Sequence, residues 1–119
     1  MIRVLLVDDN IQYARVFALT LDREPDITVV GIATTLAEAR EMLEGVDVAI
    51  LDRNLPDGDG LELISELREA SPNAKVLVMS AFAQLANPQE ALAAGADRVL
   101  GKIAPPEQVR ATIRELGSG

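Results

Sequence analysis

Two aspartates, Asp8 and Asp9, stand side by side directly after the apolar run IRVLLV at residues 2–7. A third, Asp52, directly follows VDVAIL at 46–51, while Ser80 ends KVLVMS at 75–80 and Lys102 ends RVLGK at 98–102. The chain has no cysteine and no histidine. Disulfides and thiol catalysis are therefore excluded, and the commonest general base and the usual zinc ligands are missing. Any chemistry must run on carboxylates, hydroxyls, lysine and a hard metal ion. Two carboxylates about 4 Å apart repel by roughly 1 kcal/mol in water and about 4 kcal/mol at an effective dielectric of 20. Three of them with one lysine remain net negative, so a cation is the missing partner. An all-oxygen ligand set selects a hard ion, and so few carboxylates leave room for water, as Mg²⁺ prefers.

These residues meet only if the elements that carry them converge. The chain reads as an alternation. After the first apolar run, Ile11, Ala14, Phe17, Ala18 and Leu21 recur at helical spacing over 11–21. ITVVGI (27–32) is the next strand, and TLAEAREMLEG (35–45) a helix with Thr35 and Glu38 in capping-box spacing and Gly45 at its end. A third helix carries Leu61, Ile64 and Leu67 and must stop before Pro72. A short helix is expected around 88–94, with Asn87 as cap and Pro88 at its first position. The last helix, entered through Pro105-Pro106, is striped by Val109, Ile113 and Leu116.

Five strand–helix units with continuous apolar strands predict a parallel sheet covered on both faces. Right-handed crossovers make this a single doubly wound (βα)5 domain of the α/β class, with the flavodoxin-like strand order 2-1-3-4-5. In that order the ligand site lies at the carboxyl edge, between the first and third strands. Asp8, Asp9 and Asp52 then meet at the switch point, flanked by Ser80 and Lys102. Helix capping is the competing role for Asp9 or Asn10, but the pairing with Asp52 favours a metal site. Pro56-Asp57-Gly58 reads as a turn and Asp59 as the cap of the third helix. A calcium-loop reading of DRNLPDGDG fails: Pro56 sits at a ligand position, Asp57 replaces the required glycine, and Leu63 stands where Glu should be.

Composition agrees with a folded domain: 49% of the 119 residues are hydrophobic and 25% charged. A net charge of −8 argues against a nucleic-acid or anionic-membrane surface, and no apolar run reaches the roughly 20 residues of a membrane span. Met1 leads into a strand rather than a signal peptide, and the lack of cysteine suits a cytoplasmic address.

Over essentially its full length the chain resembles the response-regulator receiver domains of two-component signalling. The matching residues are Asp8-Asp9, LDRNLPDGDG (51–60), Ser80-Ala81 and Lys102. GAD at 95–97 and KIAPPEQV at 102–109 look most like receivers that carry a helix-turn-helix output domain. The resemblance implies that Asp52 is the phosphoacceptor, a carboxylate nucleophile forming an aspartyl phosphate. It implies that Asp9 binds Mg²⁺ directly, Asp8 largely through water, and Asn54 through its backbone carbonyl, with the ion bridging Asp52 and the phosphoryl group. Lys102 would pair with one phosphoryl oxygen and Ser80 with another. The donor would be a partner's phosphohistidine, on a sensor kinase or phosphotransfer protein, because this chain has no histidine. Such a domain is a cytoplasmic signalling switch rather than a turnover enzyme, spanning residues 1–116, with 117–119 a tail or the start of a linker. An output domain or dimer mate would dock on the face of the fourth helix, fifth strand and fifth helix.

Rival readings fit less well. A haloacid-dehalogenase-type phosphatase wants D-x-D after the first strand, where position 10 is Asn; a flavodoxin-like electron carrier wants a phosphate loop there and aromatic flavin contacts. The alternative kept is a pseudo-receiver that binds proteins independently of phosphorylation. Two positions depart from the family pattern. Ile103 replaces the proline that often follows the lysine through a cis bond, leaving either a strained cis bond or a trans loop of different course. Val99 replaces the aromatic that commonly reports phosphorylation, which shifts the expected switch onto Ser80 and Phe82 in AFAQLAN (81–87).

Overall fold

The apolar runs form strands and the striped segments form helices over residues 1–80 and 88–118, which the computed structural model describes. In chain order they are β1 (Ile2–Val7), α1 (Ile11–Asp22), β2 (Ile27–Ala33), α2 (Leu36–Arg40) and β3 (Val48–Leu51). A two-residue pair follows, β4 (Asn54–Leu55) with β5 (Gly58–Asp59), then a 3-10 turn at Gly60–Glu62 running into α3 (Leu63–Ala70). β6 (Lys75–Ser80), α4 (Gln89–Ala93), β7 (Arg98–Gly101) and α5 (Pro106–Gly117) complete the fold. The large sheet is parallel in the order β2-β1-β3-β6-β7. Counting only its own strands, this is the expected 2-1-3-4-5 order.

Strand alternation divides the core between the two faces of this sheet. Leu5, Val7, Ala49, Leu51, Val76 and Val78 pack with α2 and α3 residues such as Leu36, Ile64 and Leu67. Their neighbours Val4, Leu6, Val48, Ile50, Leu77 and Met79 pack with Ala18 and Leu21 of α1 and Val109 and Ile113 of α5. Nearly all of these side chains are at most a few per cent exposed. The GAD sequence is a tie between layers: Asp97 accepts hydrogen bonds from the Val76 N–H at 2.8 Å and from Arg68 of α3 at 2.7 Å.

Three local expectations change. The helix expected over 35–45 ends at Arg40. The hydroxyl of Ser71 donates to the Leu43 carbonyl at 2.8 Å and accepts from the Val46 N–H at 3.3 Å, so this stretch bonds to the end of α3 instead of continuing the helix. At the start of α2, Thr35 accepts from the Glu38 N–H at 3.1 Å as a cap should. Glu38, however, reaches back to the N–H and hydroxyl of Thr34 at 2.7 and 2.8 Å, one residue earlier than a capping box requires. Asp57 supplies the rest from a distance, accepting from the Leu36 and Ala37 N–H groups at 2.8 and 3.2 Å.

The β4–β5 pair was not foreseen; Pro56-Asp57 is its turn, and Gly58 has a φ of 152° there. Asp59, expected to cap the third helix, instead caps the 3-10 turn that leads into it, in a full capping box with Glu62. Finally, α4 begins at Gln89, so Pro88 precedes the helix rather than opening it, and Asn87 lies outside the described residues.

Candidate functional site

Asp8, Asp52 and Lys102 each stand one residue past a strand, and the ladder still holds their backbones. The Asp8 N–H donates to the Ala33 carbonyl, that of Asp52 to Val7, and that of Lys102 to Ser80, each at 2.9 Å. Alternation fixes their faces too: they lie two residues beyond Leu6, Ile50 and Leu100, all of which pack on the α1–α5 side. Parallel strands with staggered ends therefore bring three charged side chains to one point of the carboxyl edge.

Lys102 Nζ lies 3.0 Å from Asp8 Oδ2 and 2.9 Å from Asp52 Oδ2. The other carboxylate oxygens are held by backbone: Asp8 Oδ1 accepts from the Asn10 N–H at 2.9 Å, and Asp52 Oδ1 from the Asn54 N–H at 3.1 Å. Asp8 and Asp52 are buried, whereas Asp9 is exposed. One carboxylate oxygen from each of the three lies within 4.8 Å of the others. Burial pushes the Asp8 carboxyl above its usual range, against the lowering effects of the Asn10 N–H and Lys102. For Lys102, burial alone would lower the pKa. Its hydrogen bonds to Asp52 and Asp8 outweigh this, and the net direction is up. Three carboxylates, two of them buried, facing one ammonium are short of positive charge, and their donors are all oxygen. Those donors fit a hard divalent cation.

Asn10, rather than Asp9, caps α1: its side chain accepts from the Tyr13 N–H at 3.1 Å, which leaves Asp9 at the acidic cluster. Ser80 is buried at the end of β6, opposite Gly101 of β7. Val99 is partly buried and packs on the opposite core from Lys102, with the α2–α3 cluster. Phe82 lies outside the described residues. Among the described residues no peptide bond is cis, so Lys102–Ile103 is trans, the second of the two courses open to this loop. Ile103 is 80% exposed beside the site.

Sequence reasoning missed three contributors. Tyr13 puts its ring under Lys102, with Nζ 5.3 Å from the centroid. Gly60 passes so close to the Asp52 carbonyl that a Cβ there would stand 2.1 Å from its oxygen. Arg53 ties the loop after Asp52 to α4, with Nη2 2.8 Å from Asp59 Oδ2 and 2.5 Å from Glu90 Oε1. Arg53 and Gly60 both lie in the LDRNLPDGDG stretch singled out in the sequence, but with no role attached to either, and nothing in the sequence pointed to Tyr13.

Comparison with known proteins agrees with this geometry. The family model described as the response regulator receiver domain matches residues 4–114. The DNA-binding transcriptional activator DevR/DosR of Mycobacterium tuberculosis is 31% identical over the whole chain, which spans 56% of that protein. The chemotaxis protein CheY of Thermotoga maritima is 34% identical, with 96% of each chain covered. Among solved structures, a response regulator from Burkholderia pseudomallei with a phosphorylated aspartic acid, a calcium ion and citrate superposes with a TM-score of 0.83. It is 28% identical, over 99% of this chain and 69% of that one. The chain spans 55–60% of the length of several regulators it matches, DevR/DosR among them. With the sheet order, the acidic edge and a match across nearly all of its length in agreement, this chain belongs to the response regulator receiver domain family of two-component signalling.

Proposed function

We propose that this domain is a phosphorylation-dependent switch that takes a phosphoryl group onto Asp52 from the phosphohistidine of a partner kinase or phosphotransfer protein. The observation that carries the reading is the double contact of Lys102 with Asp8 and Asp52 beside a third carboxylate. Asp8, Asp9 and Asp52, with the backbone carbonyl of Asn54, would hold Mg²⁺, which when bound supplies positive charge against the phosphoryl oxygens. The protein does the rest by positioning. The Asn54 N–H and Lys102 fix the two oxygens of the Asp52 carboxylate. One of those oxygens attacks phosphorus; the Asp–O–P bond forms as the phosphorus–nitrogen bond to the donor histidine breaks, and that nitrogen leaves with the bonding pair. Lys102 then pairs with a phosphoryl oxygen, and the Ser80 hydroxyl donates to another. The domain's work is signalling in the cytoplasm, over residues 1–116, and its output partner docks on the face of α4, β7 and α5.

Incubation with acetyl phosphate and Mg²⁺, followed by intact-mass measurement, tests this. One phosphate adduct is expected, stable in acid, lost in alkali and absent from Asp52→Asn. An adduct that survives that substitution overturns the assignment of Asp52. No adduct on the wild type favours the phosphorylation-independent pseudo-receiver.

A further inference from the structure

Tyr13 closes a ring of contacts that begins and ends at the buried carboxylate of Asp8. Asp8 Oδ1 accepts from the Asn10 N–H at 2.9 Å, and the Asn10 side chain accepts from the Tyr13 N–H at 3.1 Å. The Tyr13 ring faces Lys102 Nζ at 5.3 Å, and Lys102 returns to Asp8 Oδ2 at 3.0 Å. The ammonium is thus held on one side by two carboxylates and on another by an aromatic face, within the roughly 6 Å over which a ring quadrupole attracts a cation. Tyr13 is itself half-buried and tilted against Phe17, with centroids 5.8 Å apart. It lines both the narrow cavity against Asp8 and Asp52 and the wider groove, of about 200 Å³, that Lys102 shares with Pro106 and Arg110. Tyr13, with Phe17 beside it, thus borders both the space at the reacting carboxylate and that groove.

We propose that Tyr13 is a positioning residue for Lys102, its ring face keeping the ammonium at the phosphoacceptor while the carboxylate contact is exchanged for a phosphoryl oxygen. The role rests on the phosphoryl-acceptor reading above. A lysine stem is flexible and loses rotamer freedom when its head is fixed. When Asp52 takes the phosphoryl group, its contact with Lys102 at 2.9 Å must loosen. The Asp8 contact and the aromatic face are the parts of the grip on Lys102 that this exchange leaves in place, and of the two only the ring also borders the open groove. A phenylalanine can supply that face and an aliphatic side chain cannot.

The test uses acetyl phosphate with the whole domain: an Asp52 oxygen bonds to phosphorus, the phosphorus–oxygen bond to acetate breaks, and acetate leaves with the electron pair. At saturating acetyl phosphate and Mg²⁺, Tyr13→Leu should be slower by about threefold to tenfold, the range of a partly desolvated cation–π contact, with little change in half-saturation. Tyr13→Phe should restore the rate. In a Lys102→Gln background Tyr13→Leu should cost nothing further, which a merely structural role would not predict. The unphosphorylated protein gives a second readout, the upfield ring-current shift of the Lys102 ε-protons, present in wild type and Tyr13→Phe and lost in Tyr13→Leu. A wild type that takes phosphate without that shift, or a Tyr13→Leu protein as fast as wild type, overturns the assignment of Tyr13. A wild type that shows the shift but takes no phosphate overturns the phosphoryl-acceptor reading, and with it the positioning role, while leaving the contact itself in place.

Discussion

The backbone of Gly60 lies against the carbonyl of Asp52: a Cβ on residue 60 would stand 2.1 Å from that oxygen and 3.0 Å from its carbon. Gly60 also donates its N–H to the Arg53 carbonyl at 3.0 Å, so the loop that leaves the phosphoacceptor folds back onto it. The φ of Gly60 is outside the left-handed region, so space rather than backbone conformation requires glycine here.

Gly60→Ala should therefore be costly, because backbone atoms on both sides must give. We expect a loss of about 2 kcal/mol or more in urea unfolding, at the upper end of overpacking penalties, and slower labelling of Asp52 by acetyl phosphate. Gly31→Ala is the control. Its Cβ would meet the Met42 sulfur at 2.8 Å, and that flexible side chain can move aside, so the loss should be distinctly smaller. Equal losses would show that the close approach to Asp52 is not what constrains position 60.

Asp9 is the one exposed member of the acidic cluster, and in the described residues it is not the cap of α1. Removing its charge should relieve repulsion with Asp8 and Asp52 while depriving Mg²⁺ of a ligand. Asp9→Asn should melt at or above the wild-type temperature in EDTA, yet lose most of the stabilisation that Mg²⁺ confers on the wild type by mass action. Identical Mg²⁺-induced shifts in both proteins would place the ion elsewhere.

Asp57 joins the N-terminus of α2 to the loop after β3, and its hydrogen bond from the Leu36 N–H holds its carboxyl below the usual aspartate range. A group whose native pKa is depressed contributes stability above its unfolded pKa of about 4, and that contribution disappears as pH falls through the native pKa. Asp57→Ala should accordingly be destabilising at pH 7. The gap to wild type should narrow on acidification below about pH 4, because protonation then removes from the wild type what the substitution has already removed. Denaturant midpoints measured from pH 7 down to pH 2.5 check the sign; a gap that widens on acidification contradicts it.

What the sequence showed, and what it hid, follows from the range of each interaction. The five strands of the sheet were visible because buried parallel strands are continuous apolar runs, and the switch-point rule then brought Asp8, Asp9, Asp52, Ser80 and Lys102 to one edge. The helix over 35–45 was drawn too long. Leu36, Ala39 and Leu43 keep a helical period, but the partner that ends the helix, Ser71, is 28 residues beyond Leu43. The β4–β5 pair was hidden because two-residue strands carry no alternation. Tyr13 is not among the apolar positions that stripe α1; only the fold reveals that its ring faces an amine 89 positions along the chain.

The last prediction concerns how occupation of Asp52 reaches α4. Val99 is partly buried in the α2–α3 core and is paired with Val78, so it is held by neighbours on the sheet as well as by its own stiff χ1. An inward swing of the kind an aromatic makes is closed to it. Among the described residues two other connections remain. Ser80 is 2% exposed, pairs with Gly101 and gives its carbonyl to the Lys102 N–H, so a pull on its hydroxyl acts on the strand end itself. Arg53, next to Asp52, reaches Glu90 at 2.5 Å in the first turn of α4. Hydrogen exchange with and without beryllofluoride, a phosphoryl mimic, separates these routes. Residues 80–90 should change protection on binding, and Val99→Ala should barely alter that response. Glu90→Gln should weaken the change at 88–93 while sparing the one at Ser80, because it cuts only the Arg53 connection. If residues 80–90 stay silent while Asp52 is occupied, the signal does not leave by the α4 side, and a receiver that takes phosphate would have to use the α1–α5 side of its sheet instead.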